Sequence, residues 1–416
     1  MMTIQEHISL SFQRLQERIY SSEQVWQEST YSWPADWEGR CLLALVCLNQ
    51  VSDTKNEYAD VMVRDLGKHF NHDGYMGRLL NLQEVDEQQL SGHGWLLRGL
   101  MAYYSVNQDA NSLEYATGIV EHLFLPITDY VASYPIERVD VKGEGGVSGH
   151  NNDVIQGWRV STDIGCAFIS LDGLTAYYAE MPNKRVRILI DNMIERFRAI
   201  PKLTVKAQTH ATLTAARAIL RMYDCTGDTR YLQIAQEEFE YYCANGMTDT
   251  YENFNWFGRK ESWTEPCAVV DSFILALRFW QTFGQDTYRI LARRIWFNGL
   301  SFCHRQNGGA GPNTCVTKEQ PVLKVSMFEA PFCCTMRYCE GLLYAMKNKA
   351  LLEWSENANV IQENGRRFQD DILLIQNQKT GQILKITDVY IGLDESEEEF
   401  LVYYNEEKKE REEAEV

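Results

Sequence analysis

The sequence predicts a mainly α-helical protein, an (α/α)6 barrel of paired helices with a short C-terminal β appendage, and three observations lead there. Apolar residues recur at helical spacing in about twelve segments, bounded by Gly, Pro, Asn or Asp, that fall in consecutive pairs. The joints within pairs look alike. Cys225-Thr-Gly-Asp-Thr-Arg, Asn107-Gln-Asp-Ala-Asn-Ser and Phe283-Gly-Gln-Asp-Thr-Tyr each end one helix near Gly or Asn and offer an Asp or Asn to cap the next. The repeat has no fixed period, which favours closure of six hairpins over an open solenoid.

Taken in order, the predicted helices are 3–19, 36–52, 56–70, 90–106, 110–124, 163–180, 184–199, 206–225, 228–244, 266–283, 285–300 and 333–349. Long inserts at 125–162, 245–265 and 301–332 separate some pairs and are predicted to gather at one mouth of the barrel. After about residue 353 the period changes. Ile372-Leu-Leu-Ile-Gln and Ile383-Leu-Lys-Ile-Thr flank Lys379-Thr-Gly-Gln, a hairpin signal, and Phe400-Leu-Val-Tyr-Tyr reads as a third strand. The predicted division is therefore a catalytic barrel over 1–352, a small β-rich appendage over 353–405 and a disordered acidic tail over 406–416.

The 416 residues, 45% of them hydrophobic, suffice for one large core. A formal net charge of −18 without a basic cluster argues against nucleic acid and anionic membrane as partners. No stretch has the length and apolarity of a membrane span, and Met1 to Leu15 lacks the uninterrupted apolar run of a signal peptide. Eleven cysteines, an odd number, fit a reducing compartment, so a cytoplasmic protein is expected. A homo-oligomer is left open.

The chemistry concentrates in Glu265-Pro266-Cys267 and the adjacent pair Cys333-Cys334. Zinc binds thiolates and carboxylates in tetrahedral shells, so three sulfurs and one oxygen can make a complete one. Glu-x-Cys at a helix start sets both side chains at the positive end of the helix dipole, where thiols ionise more easily. The plainer reading is that free cysteines fill a core, as predicted for Cys41, Cys47, Cys166, Cys225 and Cys243.

Thr264-Glu-Pro-Cys-Ala, the later Phe332-Cys-Cys and the hairpins before them resemble the β-L-arabinofuranosidase family, glycoside hydrolase family 127. The resemblance covers roughly residues 30–350. It implies an (α/α)6 barrel whose bound Zn2+ is held by Glu265, Cys267, Cys333 and Cys334, with Cys333 as the nucleophile of a retaining glycosidase. Glu252, in Thr250-Tyr-Glu-Asn-Phe, matches the family's general acid/base. Gly92-His93-Gly-Trp and Gln208-Thr209-His210 resemble segments whose histidines line the family's sugar pocket. The sequence departs from the family at Pro266, at Thr335-Met336-Arg337 after the cysteine pair, and at Asp163-Ile-Gly-Cys, where relatives carry a pocket histidine. The large C-terminal β domains are essentially missing.

Two further segments bear on the pocket. Trp37, in Trp33-Pro-Ala-Asp-Trp-Glu-Gly-Arg40, offers an aromatic face at a helix start, where the plainer role is capping. Trp256, beside Phe254 and Phe257, supplies the desolvation that would raise the Glu252 pKa. Carboxylates at Asp163, Glu252, Glu261 and Glu265 among aromatics suggest a neutral glycoside or small oligosaccharide as substrate. Three rivals remain: a non-catalytic barrel with structural zinc, another (α/α)6 enzyme such as an epimerase or unsaturated-glycuronide hydrolase, and a helical scaffold for a protein partner. Of two candidate acid/bases, Glu252 is preferred to Glu261, which lies only four residues before Glu265.

Overall fold

In the computed structural model, residues 1–26, 33–138, 149, 151–392 and 397–404 are described, the backbone alone for 151–153. The predicted acidic tail lies outside them. The helices are α1 (Ile4–Leu15), α2 (Asp36–Asn49), α3 (Tyr58–Asp65), α4 (Glu87–Asn107), α5 (Ala110–Ile119), α6 (Ser170–Glu180), α7 (Lys184–Arg198), α8 (Thr209–Thr226), α9 (Thr229–Asn245), α10 (Pro266–Phe283), α11 (Asp286–Arg294), the single turn α12 (Ser301–Cys303) and α13 (Cys334–Lys347). Two of the three predicted joints cap as read: Asp109 accepts from Ser112 N, and Asp228 accepts from Arg230 N, with Gly227 ending the preceding helix at left-handed φ. At the third, Gly284 ends α10 in the same way, but Asp286 falls inside α11 behind Gln285, whose side chain makes no capping bond.

The barrel closes. Helices α2, α4, α6, α8, α10 and α13 pack each on the next, and α13 returns to α2. These six are buried on nearly every face, because each is flanked by two ring neighbours, an outer helix and the barrel interior. The outer helices bury one stripe, as α7 does with Val186, Leu189, Ile190, Met193, Ile194 and Phe197. Ring contacts are close where side chains are absent. A Cβ on Gly94 of α4 would lie 2.4 Å from Ser170 Cα, and one on Gly39 of α2 would lie 2.2 Å from Leu96 N.

Connections from inner to outer helices are mostly short, whereas those from outer to inner helices are long. The long ones therefore collect at the mouth where the inner helices begin. The inserts touch there: Trp263 bridges Thr314, Gln208 bridges Trp256, and Asp249 N donates to Val316 O.

Three features differ from the sequence reading. The helices predicted to reach 124 and 300 end in π turns, Val120–Phe124 and Ile295–Leu300. The 125–162 insert carries strands β2 (Asn151–Ile155) and β3 (Trp158–Ser161), and β3 pairs with β1 (Val85–Asp86). The C-terminal sheet is larger than three strands and is joined to the barrel. It orders β4 (Val322–Leu323), β9 (Phe400–Leu401), β7 (Ile372–Asn377), β6 (Arg366–Gln369) and β5 (Val360–Glu363), with β8 (Ile383–Lys385) on β7. The β7–β8 hairpin is the predicted one. Its neighbour β5–β6 turns on Asn364-Gly365, both at positive φ, a strong hairpin signal the reading passed over. The sheet docks through Arg293 and Arg294 of α11, which pair with Asp370, Asp371 and Glu363.

Candidate metal centre and cavity

The ring topology brings distant motifs to one point because adjacent inner helices start at the same mouth. Glu265 is the N-cap of α10 and Cys333 the N-cap of α13. Cys267 Sγ lies 3.3 Å from Cys333 Sγ and 3.9 Å from Cys334 Sγ. Tetrahedral zinc with Zn–S bonds of about 2.3 Å separates its sulfurs by roughly 3.8 Å, so the spacing suits such an ion. Glu265 Oε1 lies 4.0 Å from Cys333 Sγ, and Glu265 Oε2 is buried without a hydrogen-bond partner among the described residues. A buried carboxylate oxygen without a partner among the described residues, set beside three thiols, is free to ligate a cation. The donor set fits a soft divalent metal.

The electrostatics set the three sulfurs apart. Hydrogen bonds from Cys267 and Cys334 hold the Cys333 thiol well below the usual range against the effect of burial, helped by the charge of Arg40. Burial pushes Cys267 well above it. Cys267 and Cys334 are buried, whereas Cys333 is partly exposed.

Cys333 opens into a cavity of about 310 Å³. Its wall comes from Trp33, Asp36, Trp37 and Arg40 at the start of α2, Gln208 and His210 at the start of α8, Asp163, Ile169 and Gly149 before α6, and Glu265. Trp37 stacks on Phe332 at 4.2 Å and 11°. Asp163 accepts from Trp256 Nε1 at 3.3 Å and Gly149 N at 2.7 Å. Arg40 makes a two-pronged bond to Asp36, at 2.7 and 3.1 Å, and turns its third nitrogen to Cys267 Sγ at 3.6 Å. His210 Nδ1 lies 3.0 Å from Glu265 Oε1.

The structure thus brings together Glu265, Cys267, Cys333, Cys334, His210, Trp37 and Asp163. Trp256 stands one layer back, reaching the cavity through Asp163. His93 is elsewhere. It is fully buried, accepting from Met76 N at 3.0 Å and bonded to Gln89 O at 2.8 Å, and burial pushes its pKa down to about 4. The glycines around it serve packing: a Cβ on Gly92 would strike Pro34 O at 2.2 Å. Glu252 is also set back, 0% exposed, accepting from Thr264 Oγ1, Asn313 Nδ2 and Thr250 Oγ1 at 2.8–3.0 Å. Burial raises its carboxyl to about 7 against those hydrogen bonds. Glu261 points outward, paired with Arg259 at 3.0 Å. Cys225, read as core, is exposed. Asp36 and Arg40 lie in the 33–40 segment that the sequence singles out for its aromatics and charges, and their i,i+4 spacing is the signal for the pair they form.

A ring of six inner helices with a polar cavity at its mouth is the (α/α)6 architecture that glycoside hydrolases and sugar epimerases share. Similar solved structures include a glycoside hydrolase family 127 β-arabinofuranosidase, with TM-score 0.54 and 13% identity over 89% of this chain and 63% of that one. An unsaturated glucuronyl hydrolase specific for heparin gives 0.55 and 12% over 84% and 99%, and a sugar epimerase from a ruminal bacterium 0.52 and 12% over 81% and 98%. This chain spans 63% of the arabinofuranosidase's length, and at these identities the likeness is one of fold. No family model matches the chain, and no curated protein does. Among the described residues no helix is long and apolar enough to cross a membrane.

Proposed function

We propose that the protein is a retaining glycoside hydrolase acting on a neutral sugar, with β-L-arabinofuranosides the first class to test. One observation carries the reading. Of three clustered sulfurs, Cys333 alone is partly exposed, and it opens into a carboxylate-lined cavity with an aromatic wall. A purely structural metal site has no use for that opening.

Zn2+ held by Glu265, Cys267, Cys333 and Cys334 would keep the sulfurs ionised and fixed in place. The rest falls to the chain. The Cys333 sulfur attacks the anomeric carbon as the bond to the leaving oxygen breaks, and that oxygen takes a proton from a carboxylic acid. Water, deprotonated by the same carboxylate, then displaces the sulfur and releases the sugar with retained configuration. Trp37 offers a face for the sugar's C–H groups, while Asp163 and Gln208 are placed to read hydroxyls. A uronate would meet Asp163 and Glu265 with Arg40 already engaged by Asp36, so a neutral sugar suits the wall.

Glu252 is our proton donor because its carboxyl, at about 7, is protonated near neutrality. Asp36 has both oxygens clamped by Arg40, even though burial raises its carboxyl, and Asp163 holds two N–H groups, so both are engaged as acceptors. To act, the Glu252 side chain must swing out past Thr264 when substrate binds. The test is steady-state kinetics on aryl glycosides with Cys333→Ala, Glu252→Gln and Asp163→Asn. Cys333→Ala should lose at least about 1000-fold in kcat/KM. Glu252→Gln should slow poor leaving groups far more than good ones. If Asp163→Asn shows that pattern and Glu252→Gln does not, the proton donor is Asp163. Zinc-loaded protein inert toward every neutral and uronic glycoside would favour the structural-zinc reading.

A further inference from the structure

The geometry of a metal shell depends on what holds its ligands, and here the support for Glu265 runs through the barrel axis. Glu265 Oε1 is taken by His210 Nδ1 at 3.0 Å, which leaves the buried Oε2 without a partner among the described residues. On the far side of the ring, His210 Nε2 faces Asp271 Oδ2 at 3.7 Å and has no hydrogen-bond partner among the described residues. Asp271 cannot turn away. Thr214 Oγ1 donates to its Oδ2 at 2.6 Å, and Arg337 and Arg217 approach its Oδ1 at 2.6 and 3.1 Å. The imidazole also lies nearly parallel to Trp95, with centroids 5.9 Å apart. Trp95 in turn carries Arg40 and Arg337 over its ring at 4.3 and 4.5 Å.

We propose that His210 and Asp271 are positioning residues for the metal centre: Asp271 fixes the ring of His210, and the ring holds Glu265 by Oε1 so that Oε2 is left for the ion. The proposal rests on the metal-centre reading above. It departs from a sugar-contacting role for His210, because the ring nitrogen nearest the centre is already committed to Glu265. A metal-ligating carboxylate that is hydrogen-bonded from behind loses one of its rotamers, and removing such a support typically costs 10–100-fold in metal affinity.

Zinc affinity is measured on the full chain by competition with a chromophoric chelator, and shell geometry by the d–d and sulfur-to-metal bands of the Co2+ form. His210→Ala should weaken zinc roughly 10–100-fold and shift the d–d bands. His210→Asn, whose amide nitrogen can stand where Nδ1 does, should recover most of both. Asp271→Asn should weaken zinc in the wild-type background and add little to His210→Asn, since its effect passes through the imidazole. Should Asp271→Asn fail to fold, the His210 pair still decides the first link. His210→Ala binding zinc within twofold of wild type, with unshifted bands, would overturn the proposal. Equal losses from Asp271→Asn in both backgrounds would remove Asp271 from the chain. Wild-type protein that takes up neither zinc nor cobalt would instead sink the metal-centre reading itself.

Discussion

Glu252 shows what burial does to one carboxyl group. Its folded pKa of about 7 stands above the ordinary 4.5, so the folded protein holds the proton more tightly than the unfolded chain. Its contribution to stability is therefore complete below about pH 4.5 and is lost as pH rises through 7. An amide resembles the protonated carboxyl in shape and charge. Glu252→Gln should remove that part of the decline, and urea midpoints between pH 5 and 8 will show it as a flatter profile than wild type. If Glu252 is the proton donor, wild-type kcat/KM should also fall above about pH 7. The residues proposed as ligands stood out at this scale because Glu-x-Cys and Cys-Cys put several metal-binding side chains within a few residues. His93 was misread because a histidine flanked by glycines looks the same in sequence whether the glycines admit a ligand or a neighbouring helix.

Between elements, the inner helices meet through glycine and the first helix is held by histidine. Gly94→Ala would press a methyl group toward the Ser170 backbone, 2.4 Å away, and backbone does not yield as a side chain does. We expect a loss of about 2–3 kcal/mol, read from denaturant midpoints. Helix α1 is tied to the 301–332 insert by His7 Nδ1 and His304 Nδ1, 2.7 Å apart and buried, with Ser11 Oγ on the other His304 nitrogen at 3.1 Å. Burial lowers the His7 pKa to about 4 and holds that of His304 well below the ordinary imidazole value. The unfolded chain takes up protons near pH 6.5 that the folded pair refuses, so stability should fall as pH drops from about 6.5 toward 4. Thermal melts at pH 7 and 4.5 will measure the drop, and His7→Asn, which keeps a polar partner without titrating, should reduce it. A wild-type Tm equal at both pH values would count against the account.

Across the whole molecule, the axis of the barrel is filled by charge. Arg98, Arg217, Arg221 and Arg337 interlock with Asp172, Asp271 and Glu340, all buried or nearly so. Such a lock adds little net stability over an apolar filling, but it is costly to break from one side. Arg337→Met leaves Asp271 and Glu340 each short of a cation and should lose about 3–5 kcal/mol. A metal ion would act at the mouth as the lock does below, tying the start of α10 to that of α13. Chelation should then lower the Tm of zinc-loaded wild type but leave Cys267→Ala unchanged, because a ligand stabilises only the state that binds it.

The sequence by itself determined the helices, their pairing, the capped joints and the two cysteine motifs, because periodicity, capping and metal-ligand chemistry act over a few residues. Only the tertiary structure decided which helices form the ring and that the long connections share a mouth. It also decided that Arg40 reaches Cys267 and that Asp271, anonymous in the chain, faces His210, while His93 and Glu252 are set back. Those outcomes depend on which side chain faces which in the folded chain, as when Arg40 meets Cys267, 227 residues away. That is fixed by close packing and the pairing of buried charge, and no local pattern carries it.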